Sequence, residues 1–346
     1  MSKVEVTYLS SLTEGSIISS AYYVAEVFEK MTRDKRPYCD VHVRDKTGAK
    51  VARYWGPAAD LPTFSFAEIS GRTEMYMDNV QLVIDSCKEL ESSDVDLEDF
   101  TCKIDNYDTF TEFFETILDE VTDPTLLAIY KKIFSKSFKE KFFDCPAGTG
   151  LETGQVGGAL LQACRLVNAV NEASRLHHLD QLTKDLLVVG SILAFSGKPS
   201  CYDHVDCMPM QTVKGKLYGE TASAYQRLVL ALVMLKQKPT EARKLAKKED
   251  DEDWQLDEEV ILRLSHMLLS ARSTSFESYT YHPGAVQPCS VEAMILSHCL
   301  RTQENITSAL ECVVSSNLAD NNPNDLMTPF DTKTRRNYLK NNDLQL

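Results

Sequence analysis

The chain of 346 residues lacks the features that mark several common protein classes. No stretch of roughly 18 or more apolar residues is present, and residues 1–20 lack the blocks of a signal peptide, so neither a membrane span nor secretion is expected. The ten cysteines follow no framework spacing, which predicts reduced thiols and a cytoplasmic location. There is no GxSxG, HExxH or CxxC motif, and Gly197-Lys198 lacks the glycine-rich loop of a P-loop.

Positive charge is scarce overall but concentrated in one place. The chain has 51 acidic and 37 basic residues, which gives a net charge of −14. Such a protein has no long-range attraction to phosphate, so a general nucleic-acid coat is excluded. Residues 30–53, the basic segment, carry eight basic and three acidic residues. We expect this segment to hold phosphate locally, and the alternative is a solvated hairpin without a ligand.

Five segments in the first ninety residues have the alternating or β-branched patterns that are typical of strands. They are residues 16–29, 38–45, 49–55, 68–75 and 79–87. In the second segment Cys39, Val41 and Val43 alternate with Asp40, His42 and Arg44. The turn Lys46-Thr47-Gly48 joins the second and third segments, and Gly71 suits a bulge or a barrel corner. These patterns predict a small five-stranded Greek-key barrel of the OB-fold type.

From Asp108 onward the apolar pattern becomes helical. One apolar stripe is formed by Phe110, Phe113, Phe114, Ile117, Leu118 and Val121. Asp123-Pro124 predicts the start of a second helix, and further helices are expected near 157–175, 183–195, 219–237, 257–271 and 290–311. The sequence therefore predicts an α+β, multidomain protein. Its expected parts are an OB-fold barrel (1–92), a linker (93–107), an all-α domain (108–316) and a loosely ordered tail rich in Asn and Asp (317–346).

Aromatic and basic residues in a small barrel are typical of proteins that bind single-stranded nucleic acid. Each base that stacks on a ring contributes ~1–3 kcal/mol, while Lys and Arg contact the phosphates. About half of the rings in alternating strands must belong to the core. The candidate binding residues are Lys30, Arg33, Lys35, Arg36, Tyr38, Arg44, Lys46, Lys50, Arg53, Tyr54 and Trp55.

The order of elements resembles the YhaM-type 3'-5' exoribonuclease family, in which an OB-fold precedes a helical HD phosphohydrolase domain. The barrel segment RPYCDVHVRDKTGAKVARYW resembles that family's hairpin pattern. In the helical part the resemblance lies in residues 157–160, 186–193, 197–198, 214–219, 266–270 and 290–294. The resemblance implies an HD-like helical domain.

The same resemblance implies that the metal ligands of the HD site have been lost. The positions of the family's His and Asp ligands are held by Gln162, Ala194, Phe195, Glu220, Ala271, Arg272 and Leu300. Active HD enzymes use clustered His and Asp to bind metal ions that generate a hydroxide. Ala, Phe and Leu side chains cannot coordinate a cation. We therefore expect a pseudoenzyme derived from an HD-domain phosphohydrolase, with no catalytic residues, no metal and no cofactor.

Two hypotheses concern Arg272 in the vacated site. It places a fixed positive charge near Lys198, where a nucleic-acid strand would bind, or it pairs with Glu220 and fills the cavity. The second is the simpler interpretation.

The leading functional prediction is a non-catalytic protein that binds single-stranded DNA or RNA as an accessory factor in replication, repair or RNA metabolism. One alternative is a divergent metal-dependent 3'-5' exonuclease with ligands among Cys201, Asp203, His204, Asp206 and Cys207. The other is an acidic scaffold that docks a basic protein partner. Expected partners also include replication or RNA-processing proteins and a second copy of the chain, since related OB and HD proteins often self-associate. Strong divergence from an enzyme family suits a viral genome.

Overall fold

The computed structural model describes residues 3–76, 79–150, 152–272 and 286–318. The described residues divide into two compact units. The first comprises the chain up to Lys103, Asp206–Met208 and the described residues from Ala309, and the second comprises Ile104–Val205 and Pro209–Ser308. Most of the segment expected as a tail, from residue 319 onward, lies outside the described residues.

The first unit contains a closed barrel of five strands. They are β1 (Ile17–Met31), β2 (Pro37–Asp45), β3 (Gly48–Tyr54), β4 (Ser65–Tyr76) and β5 (Asn79–Leu90). The strand order is β1-β2-β3-β5-β4, with β3 and β5 parallel and the other neighbouring strands antiparallel. This is the order of an OB-fold. The predicted fold class, α+β with an N-terminal five-stranded barrel before a helical region, is confirmed.

Alternation along the strands fills the barrel as predicted. Cys39, Val41 and Val43 are fully buried in its interior cluster. The pairing of β4 with β5 shifts register between Ser70 and Gly71, which is the predicted bulge. A Cβ atom on Gly71 would lie 2.1 Å from the carbonyl oxygen of Val83, so only glycine fits this close approach.

A second apolar cluster lies on the outside of β1 and β4. The rings of Tyr23 and Phe66 lie 5.2 Å apart, and Phe66 contacts Phe100 at 4.9 Å. Val95 joins this cluster and is buried. Val95 and Phe100 come from the segment expected as a linker, and they cover one side of the barrel.

The described chain from Tyr107 onward is built mainly from helices. They are α1 (Tyr107–Thr116), α2 (Pro124–Ile133), α3 (Lys136–Asp144), α4 (Gly158–Leu176), α5 (Gln181–Phe195), α6 (Lys198–Cys201), α7 (Val213–Gln237), α8 (Pro239–Leu245), α9 (Glu258–Ser270) and α10 (Val291–Leu318). A short hairpin of β6 (Tyr202–Val205) and β7 (Met208–Gln211) lies between α6 and α7. None of the described helices is long and apolar enough to cross a bilayer.

Local sequence signals set several helix boundaries. The Asp123 carboxylate accepts a hydrogen bond from the Leu126 amide at 2.8 Å, and Pro124 occupies the first helical position, as predicted. Helix α1 ends at Thr116, before the predicted stripe ends, and the chain continues as a 3-10 turn. Helix α7 begins six residues before the predicted start and breaks at Gly219, whose φ of +72° is outside the helical region.

Candidate nucleic-acid interface

The outer surface of β1, β2 and β3 holds several of the predicted binding residues; we call it the outer face. Phe28, Asp40 and Arg53 lie directly opposite one another across the three strands. Lys30 lies opposite Tyr38 in the neighbouring row. These residues point away from the barrel because their strand neighbours, such as Val41 and Ala52, fill its interior.

Two aromatic rings and a guanidinium group form a platform on the outer face. The ring of Tyr38 lies 5.7 Å from that of Trp55, and the Arg53 guanidinium lies over the Tyr38 ring at 4.6 Å. Trp55 is 64% exposed even though it follows directly after β3. A large exposed ring held by a neighbouring ring is a suitable surface for stacking a base.

Phe28 and His42 extend the platform, although the list of predicted binding residues omits both. Their rings lie 5.2 Å apart in an edge-to-face arrangement, and Phe28 is half-exposed. The alternation that places Asp40 on the outer face also places His42 there. Burial lowers the pKa of His42 below its ordinary value, against the opposing effect of Glu26 and Asp40.

Two of the predicted phosphate-binding cations share one carboxylate partner on the outer face. Asp40 lies 2.6 Å from the Lys30 ammonium group and 3.3 Å from Nη2 of Arg53. We call these three residues the surface ion cluster. Within the described part of the chain, Arg53 Nε and Asp40 Oδ1 are buried and have no partner in hydrogen-bonding geometry. The cluster has a net charge of only +1.

The tight turn between β1 and β2 presents three exposed basic residues, Arg33, Lys35 and Arg36, which we call the basic turn. The amide of Lys35 donates to the Thr32 carbonyl at 3.0 Å, and Thr32 donates from its own amide to the Arg36 carbonyl at 2.9 Å. Lys35 has a left-handed φ of +59°. No carboxylate of the described residues pairs with these three cations, so they are available to an anionic ligand.

The remaining predicted residues are placed elsewhere on the barrel. Tyr54 packs against the interior cluster and donates its hydroxyl to Asp60 at 3.1 Å, which removes its ring from the outer face. Lys50 lies opposite the inward residue Val43. Lys46 pairs with Asp99 at 2.9 Å. Arg44 has outward parity and is half-buried. The basic segment therefore contains an aromatic centre with a net charge of +1 and a separate basic turn.

In the second unit, most positions that the resemblance assigns to lost metal ligands converge around Arg272. Its guanidinium lies 5.7 Å from the Phe195 ring and donates to the Ala194 carbonyl at 3.4 Å. Its Nη2 atom is 3.1 Å from the carboxylate of Glu220, and its Nε donates to Glu304 at 3.0 Å. The predicted ion pair between Arg272 and Glu220 is therefore present.

Glu220 is the centre of a cluster with Lys198 and Arg272, which we call the buried ion cluster; Glu304, whose side chain is 47% exposed, pairs with Arg272 at its edge. The Glu220 carboxylate lies 2.6 Å from the Lys198 ammonium group and accepts a hydrogen bond from the Tyr202 hydroxyl at 2.9 Å. Burial raises the pKa of Glu220, but the opposing effect of Arg272 and Lys198 is larger, so the net shift is downward. Glu220 therefore stays ionised.

The other assigned positions lie in apolar or amide surroundings. Ala271 and Leu300 are buried in the helical core. Gln162 is buried, and its amide nitrogen donates to Thr307 at 3.4 Å and to Glu152 at 3.3 Å. These side chains pack or form hydrogen bonds within the unit.

The alternative ligands Cys201, His204 and Cys207 have separate partners. The Cys201 thiol is buried and donates to Ser223 at 3.5 Å, and a ring nitrogen of His204 is 3.0 Å from the Gly154 carbonyl. The Cys207 thiol donates to the Leu97 carbonyl at 3.2 Å. Among the described residues, no group of three or more His, Cys, Asp or Glu is arranged to hold a metal ion.

No protein-family model and no curated protein matches the chain. Among solved structures, it is similar to the second OB-fold domain of replication protein A from Methanococcus maripaludis, with 18% identity and a TM-score of 0.22 over 25% of this chain and 96% of that one. A murine DNA-binding protein bound to double-stranded DNA gives 13% identity and a TM-score of 0.21 over 25% of this chain. This chain covers 49% of that protein's length.

A longer similarity, to aspartyl-tRNA synthetase from Entamoeba histolytica, covers 73% of this chain and 59% of that one at 8% identity and a TM-score of 0.22. The OB-fold assignment rests on the barrel's own strand order, and the relation to the YhaM-type family stays a prediction.

Proposed function

We propose that this protein binds single-stranded DNA or RNA through the outer face and the basic turn. The observation that supports this most directly is the platform of Trp55, Tyr38 and Arg53, with Phe28 beside it. Rings that stack bases and cations that contact phosphates are the two elements that sequence-tolerant single-strand binding requires. In OB-folds the surface of strands 2 and 3 is the usual site for such ligands.

The test is the affinity of the full chain for labelled DNA and RNA oligonucleotides of about 15 nucleotides at low salt. Trp55→Ala should weaken binding by about 5- to 150-fold, because one stacked base contributes ~1–3 kcal/mol. Ile17→Ala serves as a control, since Ile17 is exposed on the β1–β4 side of the barrel. Equal affinities for both variants and the unmodified chain would remove the platform from the proposal.

Fluorescence gives a second readout of the same contact. The chain has two tryptophans, and Trp254 packs against the helical core. In a Trp254→Phe variant, Trp55 is the remaining tryptophan, so a base that stacks on it should quench the emission. Binding without quenching would place the nucleic acid elsewhere on the protein.

We further propose that the helical unit is a non-catalytic HD-like scaffold and that the protein acts as an accessory factor in replication, repair or RNA metabolism. The convergence of Ala194, Phe195, Glu220 and Arg272 around one point supports the assignment of these positions to a former metal site. Lys198 and Arg272, which pair with the ionised Glu220, supply the positive charge that a metal ion would otherwise supply. Degradation of a labelled oligonucleotide by the purified chain in manganese, abolished by a chelator, would contradict this proposal.

A further inference from the structure

The centre of the outer face contains a carboxylate where a binding site for a polyanion would be expected to have none. The side chain of Asp40 is 12% exposed and lies between Lys30 and Arg53. Phe28 is directly opposite Asp40 on β1, and the Arg53 guanidinium that Asp40 contacts also covers the Tyr38 ring. Asp40 therefore lies among the rings that form the platform.

This position makes Asp40 a competitor of phosphate. A phosphate that approached Lys30 or Arg53 would have to replace a carboxylate that already lies 2.6 Å and 3.3 Å from the two cationic groups. It would also meet the negative charge of Asp40 in a partly buried setting, where repulsion is screened less than in bulk water. No such competitor pairs with Arg33, Lys35 or Arg36 in the described part of the chain.

We propose that Asp40 is the residue that makes the outer face accept unpaired bases and exclude phosphates, so that phosphates of a bound strand lie at the basic turn. This inference rests on the proposed single-strand binding and adds the ligand chemistry of its centre. By pairing with Lys30 and Arg53, Asp40 lowers the net charge of the surface ion cluster from +2 to +1, so the rings can still stack bases while contacts with the backbone are weakened.

The consequence is selectivity among polyanions. A base-free polymer, such as an abasic oligonucleotide with the same number of phosphates, has nothing to place on the rings. It can use only the basic turn. The unmodified chain should therefore bind a normal oligonucleotide of about 15 nucleotides far more tightly than the abasic one at the same salt concentration.

The decisive variant is Asp40→Asn, which keeps the shape of the side chain and frees both cations. Binding of the abasic oligonucleotide should strengthen by roughly tenfold at low salt, because two more cations can contact phosphates. For single strands each such contact adds about 0.7 to the slope of log affinity against log salt, so the slope should steepen by about 1.4. The gain should then shrink by about sevenfold between about 50 and about 200 mM salt.

Asp85→Asn is the matched control, since it removes one carboxylate from Arg72, which lies 2.8 Å away on the β4–β5 side of the barrel. It raises the net charge by the same amount as Asp40→Asn. Equal gains from both variants would show a general charge effect and overturn the proposal. Asp40→Glu retains the negative charge and should keep most of the discrimination against the abasic polymer.

Thermal unfolding of Asp40→Asn checks that the variant folds before its binding is measured. If it does not fold, Asp40→Glu and Lys30→Gln test the pairing of Lys30 with Asp40 instead. Unchanged or weaker abasic binding by folded Asp40→Asn would overturn the role of Asp40 while leaving base stacking intact. No binding of the normal oligonucleotide by the unmodified chain would instead refute the proposed function itself.

Discussion

The two units each contain a carboxylate placed between a lysine and an arginine. Asp40 lies 2.6 Å from Lys30 and 3.3 Å from Arg53, while Glu220 lies 2.6 Å from Lys198 and 3.1 Å from Arg272. The two carboxylate side chains are similarly buried, at 12% and 17% exposed, but the side chain of Lys30 is 54% exposed, whereas that of Lys198 is 8% exposed. The charge pattern is therefore the same, and the exposure of the lysine is what differs.

The burial of the neighbouring lysine decides what each carboxylate can do. In the surface ion cluster, water can solvate Lys30 when Asp40 is removed, so the cation becomes available to a ligand. In the buried ion cluster, Lys198 has no such access, and a charge left alone in a low-dielectric interior costs several kcal/mol. The comparison predicts that the first carboxylate controls binding and that the second controls stability.

Removal of the buried carboxylate should give the largest effect. Glu220→Ala leaves Lys198 and Arg272 without their shared partner, and breaking a buried pair in this way typically costs about 3–5 kcal/mol of unfolding free energy. Urea unfolding of the full chain measures this loss. The control is Glu258→Ala, because Glu258 pairs with Lys236 on the surface and such pairs contribute at most about 1 kcal/mol. Similar losses for both variants would show that burial does not raise the cost of removing the Glu220 carboxylate.

Removal of cations from the basic turn should have an intermediate effect that appears in salt dependence. The double variant Arg33→Ala/Arg36→Ala should lower the slope of log affinity against log salt by about 1.4, since two phosphate contacts are lost. Lys46→Ala should change the slope much less, because Lys46 is already paired with Asp99 at 2.9 Å. Titrations of a single-stranded oligonucleotide from low to high salt measure both slopes. A slope lowered by about 0.7 in Lys46→Ala, the value for one free phosphate contact, would show that the pairing with Asp99 does not persist in solution.

Much of the barrel is predictable from local patterns. Strict alternation in β2 fixes which side chains face inward, and Gly71 marks the bulge because no other residue fits beside Val83. The short helices α3, α6 and α8 are missed, since four to nine residues are too few to show a helical period. Helix α7 has a hidden start because Gly219 interrupts its pattern.

The candidate site is less predictable, because partners come from distant parts of the chain. The basic segment contains eight cations, but one of them, Lys46, pairs with Asp99, which lies 53 residues further along the chain. Tyr54 and Trp55 are adjacent in sequence, yet one ring packs inward and the other is exposed. From the sequence, the pairing of Arg272 with Glu220 is only one of two hypotheses, because it depends on how the helices pack.

The smallest expected effect is a change of stability with pH, and it again distinguishes the surface ion cluster from the buried ion cluster. His42 lies beside the surface ion cluster, whereas the buried ion cluster contains no imidazole. Burial lowers the pKa of His42 below 6.5, with Glu26 and Asp40 opposing the shift and Arg44 and Lys30 adding to it. The folded barrel therefore binds this proton less readily than the unfolded chain does. The contribution of neutral His42 to the stability of the barrel should be fully present above pH 6.5 and should decrease as the pH falls from there through the lowered pKa.

Urea unfolding followed by Trp55 fluorescence in a Trp254→Phe background measures this change between about pH 7.5 and about pH 5.5. A His42→Gln substitution should flatten the profile over that range, because the titrating group is gone. The cations beside Glu220 lower the pKa of its carboxyl group. Its contribution to stability should therefore decrease only in more acidic solution, as the pH falls through that lowered pKa. An identical slope with and without His42 would assign the pH dependence to other groups and leave the surface ion cluster insensitive to pH in this range.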